Sequence, residues 1–306
     1  MRNTFAQALL EFAKLDSRII LITGDLGYGV LDDFQRLLPR QYVNAGIAEQ
    51  SMMSMAAGMA SQGYRPFVYS IANFPTFRCL EQIRNDVSYM GNPVTIVSVG
   101  SGVSYGPHGY THHAVEDLSI MRIFSNMRIY TPMDPEEVRK SLDLILSHKK
   151  PAYLRLGKGG EENFTEKNTE LNFNTLRKGS SGTICWIGSI GKVAIESGDL
   201  LSKLDIDVSL VSMFAPTDES IAQMLVKNSR KPILTVEEHI VKGGFGSWVL
   251  EIASEVNFRG RIVTAGINPK NHSSIGSQTY LRNLSALTKD QLANKFVEIT
   301  QLPNSG

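Results

Sequence analysis

Cysteine is scarce in this chain: Cys79 and Cys185 are the only two in 306 residues, far apart, in apolar contexts and without metal-ligand spacing. That excludes a disulfide-stapled fold and a cysteine-built metal centre, and it fits two buried thiols in a reducing compartment. An excess of either charge is lacking too. Lysine plus arginine (31) nearly cancel aspartate plus glutamate (30), so the sustained basic surface of a general nucleic-acid binder is missing. The amphipathic opening MRNTFAQALLEFAKLD interleaves its charges, and no long uncharged run follows it. A signal peptide and a membrane span are therefore not indicated, and the cytoplasm is the expected location. Internal repeats and low-complexity tracts are not seen either.

What is present is the make-up of a soluble globular protein of about two domains, 42% hydrophobic and 20% charged. RIILIT, FVYSI, PVTIVSV, MRIYTP and PAYLRL read as short buried strands. Helical stretches such as Cys79–Tyr89 and Pro135–Ser147 separate them, an alternation that predicts a mostly parallel sheet with helices on both faces. The polar, strand-poor Gly159–Asn174 is the linker candidate. TICWIGS, DVSLVSMF, KPILTVEEH and RIVTAGI then alternate with helices in a second α/β unit. The expected division is 1–160, a linker at 161–176, and 177–306, with ligands beyond the carboxyl ends of the strands.

One acid stands out. In YVNAGIAEQSMMSMAAGMASQG, Glu49 heads a helix of small and apolar residues, with Asn44 as a cap candidate and Gly63 as the stop. Ala48, Met52, Met55, Ala56 and Met59 mark its apolar face. Burial beside that face would raise the pKa of Glu49, while the helix N-terminus pulls the other way. A first-turn glutamate that only complements the helix dipole is the competing explanation.

With GIAEQ, the segments RPFVYSIANFPTF, EQIRNDV, GYTHHAVEDLS, MRIFSNMRIYTPMDPEE, PAYLRLGKG and TVEEHIVKGGFGS follow in an order and spacing that resemble the transketolase family of thiamine diphosphate enzymes. The resemblance runs from near Thr4 to about Ala265 and implies a pyrimidine-binding domain followed by the transketolase C-terminal domain. It implies that Glu49 hydrogen-bonds the pyrimidine ring nitrogen of thiamine diphosphate, a task suited to a carboxyl group kept protonated. His112, in the glycine-rich GPHGYTHHAVED, matches the family's catalytic or substrate-contacting histidine, a proton shuttle to substrate hydroxyls. Arg155 matches an arginine that grips the sugar phosphate. Phe74 holds one of the positions that stack on the pyrimidine, and Ile71 replaces the other with an apolar wall. Asp25 aligns with an acidic residue near the thiazolium, against which an Asx turn is the competing role. His108 stands where an aspartate usually recognises the acceptor, and Gly100 where a histidine contacts phosphate. Those departures suggest an unusual sugar.

The family's magnesium motif, Gly-Asp-Gly followed by a distant asparagine, has no counterpart, since TGDLG and SGDLL lack the second glycine. The expectation is therefore a separate N-terminal subunit that supplies the diphosphate- and Mg2+-binding domain, in a two-plus-two assembly. The reaction expected is transfer of a two-carbon ketol unit from a ketose to an aldose. Rivals are a decarboxylating reaction like that of 1-deoxyxylulose 5-phosphate synthase or a 2-oxo acid dehydrogenase beta subunit, which releases carbon dioxide, and a non-catalytic partner subunit, whose complex would ignore loss of Glu49.

Overall fold

Short runs of aliphatic and β-branched residues, bounded by turn residues, become buried strands. The computed structural model describes residues 1–165, 172–271 and 273–301. In its first half β1 (Ile19–Thr23), β2 (Tyr42–Asn44), β3 (Arg65–Ile71), β4 (Thr95–Val99), β5 (Arg128–Tyr130) and β6 (Ala152–Leu156) form one parallel sheet in the order β2-β1-β3-β4-β6-β5. In its second half β7 (Asn174–Arg177), β8 (Gly182–Trp186), β9 (Val208–Ser212), β10 (Ile233–Ile240) and β11 (Ile262–Ile267) are ordered β11-β10-β8-β9-β7, with only β7 antiparallel. The expected fold class, two consecutive α/β units with mostly parallel sheets, is what forms. Two edge strands escape the sequence reading: three-residue β2, and β7, which begins inside the segment taken as linker. The middle of that segment, 166–171, lies outside the described residues.

The helix Glu49–Ser61 packs on β3. It buries Glu49, Met52, Met53, Ala56, Ala57 and Ala60, a three-and-four spacing that starts from Glu49 itself, while Met55 of the expected face is 40% exposed. That rotation turns the acid inward. Asn44 does not cap this helix; Ala48 precedes it without a side-chain cap bond. The expected helix at Cys79–Tyr89 forms unevenly, with Leu80–Gln82 α-helical and Ile83–Tyr89 wound as a π-helix, a distortion found often beside functional sites. Both cysteines are buried and free, and burial pushes the Cys79 thiol up to about 12.

Backbone hydrogen bonds join the two units. Thr131 N–H donates to the Phe214 carbonyl at 2.6 Å, Gly188 N–H to Thr131 at 2.9 Å and Ile240 N–H to Val115 at 2.9 Å. A core containing Leu118 and Met121 continues into Met213 and Phe245 of the second unit. Among the described residues no helix is long and apolar enough to cross a membrane.

Candidate active site

The carboxyl ends of the first sheet deliver the chemistry. Parallel strands end together, so the loops that follow them meet along one rim. Asp25 follows β1, Glu49 follows β2, Phe74 and Arg78 follow β3, His108 and His112 follow β4, and Lys158 follows β6. The spatial strand order sets these residues along one rim, and from Glu49 to Lys158 they form a row of direct contacts. Glu49 Oε2 accepts from Arg78 Nη1 at 2.7 Å, and the Arg78 guanidinium lies 4.8 Å from the Phe74 ring centre. Phe74 meets the His112 ring edge-on at 5.4 Å, and the His112 and His108 ring centres are 5.0 Å apart. His108 then lies 5.9 Å from Tyr105, over which Lys158 Nζ sits at 5.3 Å.

Glu49 is only 4% exposed, and its partner Arg78 is 49% exposed. This cation, four residues after Phe74, belongs to the site and was not singled out in the sequence. Asp25 lies at the surface with a left-handed φ of 56°. Its Oδ1 accepts from Tyr28 Oη at 2.7 Å and from Asn44 Nδ2 at 3.0 Å, and these bonds, Asn44 first, hold its carboxyl below the usual range. Asn44 Oδ1 in turn accepts from Asp25 N–H and Gly46 N–H, both at 3.0 Å. Asp25 thus clasps the β1 end to the turn ahead of Glu49 through side-chain bonds, and the acceptor from a backbone N–H two residues on is Asn44.

The loop carrying the histidines is closed at its base by two 2.9 Å bonds between Gly102 and Ala114. Asn73 Nδ2 donates to the Thr111 carbonyl, tying that loop to the Ile71–Phe74 segment, while Asn73 Oδ1 is buried without a partner. His112 is half-buried, and its Nδ1 pairs with Thr111 Oγ1 at 3.0 Å, which leaves Nε2 for a ligand. Burial, followed by the charges of His108 and His113, lowers its pKa, so it stands neutral at pH 7 and is able to accept a proton.

Arg155 is not on this rim, which corrects the expectation that it grips an anion. It lies inside β6, 1% exposed, with its Nε and Nη2 bonded to protein groups. Nε donates to Asp117 Oδ2 at 2.7 Å, and Nη2 donates to the Ala114 carbonyl at 2.8 Å and the Glu238 carbonyl at 3.1 Å. Tyr153 also donates to Asp117. Burial would raise the Asp117 carboxyl, but Arg155 overrides it and holds it low. His239 lies in the same dry pocket and burial pushes it down to about 4. The exposed cation beside the histidine loop is Lys158, two residues past the end of β6, a position that no strand or helix pattern marks in the sequence. Among the described residues, no three His, Cys, Asp or Glu side chains are grouped to hold a metal ion.

Comparison with known proteins agrees with this architecture. Residues 1–160 match the transketolase pyrimidine-binding domain and residues 172–291 the transketolase C-terminal domain. The chain is 36% identical over 263 residues to an apulose-4-phosphate transketolase subunit of Phocaeicola vulgatus, covering 83% of each protein. It is 33% identical over 306 residues to 1-deoxy-D-xylulose-5-phosphate synthase of Carboxydothermus hydrogenoformans, 97% of this chain against 48% of that longer protein. Its fold superposes with a TM-score of 0.86 on a split-gene transketolase described as an inactive beta4 tetramer, with 27% identity and 98% of both chains covered. Two adjoining family domains, a subunit-sized relative matched over most of its length and a shared fold lead to one conclusion: this chain belongs to the transketolase family.

Proposed function

We propose that this chain is the pyrimidine-binding subunit of a split transketolase, transferring a two-carbon ketol unit from a ketose to an aldose with a diphosphate-binding partner. The observation that carries the reading is the row from Glu49 through Phe74 and His112 to Lys158, which sets a buried acid, an aromatic ring, a neutral imidazole and a cation along one rim.

These residues fit the pyrimidine end of thiamine diphosphate: an acid for the ring nitrogen, the unpaired acceptor of Asn73, and the half-buried walls Ile71 and Phe74. When bound, that cofactor supplies the carbanion chemistry of carbon–carbon cleavage. Glu49 would hold the pyrimidine once Arg78, anchored only at one end, swings aside. His112 Nε2 would take and return the proton of a substrate hydroxyl. His108 would meet the substrate on the solvent side, and Lys158 would bind its phosphate or another anionic group. The diphosphate and Mg2+ ligands would belong to the partner, in a two-plus-two assembly; the fold likeness to a chain that is an inactive tetramer by itself supports this.

The likeness to 1-deoxyxylulose-5-phosphate synthase favours a second reading, decarboxylation of a 2-oxo acid. The test is to mix the chain with a candidate partner, thiamine diphosphate and Mg2+, and to measure aldehyde release from a phosphorylated ketose and carbon dioxide release from a 2-oxo acid. Aldehyde release that needs both chains is expected. Carbon dioxide release would install the second reading, and neither product from a cofactor-loaded complex would overturn both.

A further inference from the structure

The loop that carries His108 and His112 rests on the second unit of the fold. At its base the Gly102 Cα faces Glu238, where a Cβ would come within 2.7 Å of the Glu238 Cβ and 2.8 Å of its carbonyl oxygen. At its middle the Gly106 Cα lies against the Gly276 carbonyl, which a Cβ would approach to 2.3 Å, and Gly276 N–H donates to the Gly106 carbonyl at 3.3 Å. Side chains are barred at both places, so the loop can seat closely.

Between these two points stands Gln278, in the first turn of the helix Gln278–Leu284, which Ser277 caps. Its Nε2 donates to Ser104 Oγ at 3.2 Å and lies 3.0 Å from both oxygens of Glu238. Ser104 Oγ passes the bond on, donating to the Ser101 carbonyl at 2.6 Å. Glu238 is anchored from behind by Arg282, through Nε at 3.2 Å and Nη2 at 3.0 Å. A charged, buried acid fixed by an arginine thus holds an amide, and the amide holds the loop.

We propose that Gln278 is a positioning residue for ketol transfer, fixing the loop from Val103 to His113 on the second unit so that His108 and His112 meet the substrate. This gives that unit a part in the chemistry, and it rests on the function proposed above. A neutral amide suits the position because one NH2 group serves a hydroxyl and a carboxylate together, whereas an acid there would face Glu238 with like charge.

The test uses the full chain, alone and in complex with its diphosphate-binding partner, with Gln278→Ala and Gln278→Met. Methionine keeps the length and packing of glutamine and removes its amide. A net hydrogen bond of this kind corresponds to a change of about ten-fold. Both variants are expected to speed amide exchange across 103–113 about ten-fold and to lower kcat about ten-fold, with KM held within about two-fold and exchange elsewhere unchanged. Exchange that stays at the wild-type rate, recovery of both readouts in the methionine variant, or a loosened loop with unaltered turnover would each overturn the proposal. If the wild-type complex carries out no ketol transfer, the function proposed above fails, and with it the catalytic meaning of Gln278, while the exchange result stands as a separate finding about the loop.

Discussion

Two arginine–carboxylate pairs of the first unit have the same length and opposite characters. Glu49–Arg78 and Asp117–Arg155 both close at 2.7 Å. In the first, the acid is buried and the arginine is 49% exposed; in the second, neither partner has more than 1% exposure. A guanidinium with one end in water can leave its acid at lower cost, because solvent takes over its own charge and only the buried Glu49 loses a partner. One enclosed with Asp117 and two backbone carbonyls cannot leave without stranding a charge. The difference separates a site open to ligand from a joint between strands and domains, and a contact distance alone would not reveal it.

Removing the enclosed cation should therefore have the largest effect. Arg155→Ala leaves Asp117 buried and uncompensated, and it should cost about 3–5 kcal/mol in urea unfolding. A loss under about 1 kcal/mol, with a raised KM for phosphorylated sugar, would return Arg155 to the role of anion ligand. The buried side has a second acid with no arginine, Glu137, whose Oε1 accepts from Asn174 Nδ2 at 2.6 Å across the two units. Burial, aided by the Asp134 charge, pushes it up to about 7. Its folded form holds the proton more tightly than the unfolded chain, so its stabilising contribution is whole below about pH 4.5 and is lost as pH rises through about 7. Over that window the wild type should lose up to about 3 kcal/mol relative to Glu137→Gln, at about 1.4 kcal/mol per pH unit. Parallel stability curves from pH 4 to 8 would show that Glu137 does not titrate there.

The contrast also explains what could be read in advance. Short, largely apolar runs and three-to-four spacings sufficed for the strand and helix alternation, because strands such as Ile19–Thr23 and Thr95–Val99 are buried on both faces. The edge strands β2 and β7 were illegible because an edge needs little apolar burial, and Tyr42–Asn44 is only three residues long. Glu49 could be singled out because an acid on the buried face of an apolar helix breaks a local pattern. Arg78, Tyr105 and Lys158 break none; their place arises only when the sheet order brings the ends of β3, β4 and β6 together. Arg155 misleads for the converse reason. Its partners Ala114, Asp117 and Glu238 lie 38 to 83 residues away, and a strand arginine bound to them looks in sequence like one at a strand end.

On the open side the effects should appear in turnover. Glu49→Gln should lower ketol transfer by the assembled complex about 100-fold or more, with little change in unfolding midpoint. Near-normal turnover would remove the acid from the mechanism and favour a non-catalytic role for the chain. Lys158→Ala should raise KM about ten-fold for a phosphorylated ketose and leave a neutral ketose unaffected, as expected for one lost charge-assisted contact. An equal effect on both sugars would mean that Lys158 shapes the loop through Tyr105 and does not bind the anion.

The smallest effect is the one that measures the contrast directly. In a double-mutant cycle, Glu49→Gln with Arg78→Ala should give a coupling of under about 1 kcal/mol in unfolding free energy. The low value follows from the half-exposed guanidinium, which exchanges its bond to Glu49 for water without burying a charge of its own. The matching cycle of Asp117→Asn with Arg155→Ala should give a coupling several times larger, because each single change there strands the other group in a dry pocket. Similar couplings would mean that Arg78 is fixed in place; Glu49 would then have no free face for a pyrimidine, and the rim would need another acid to hold the cofactor.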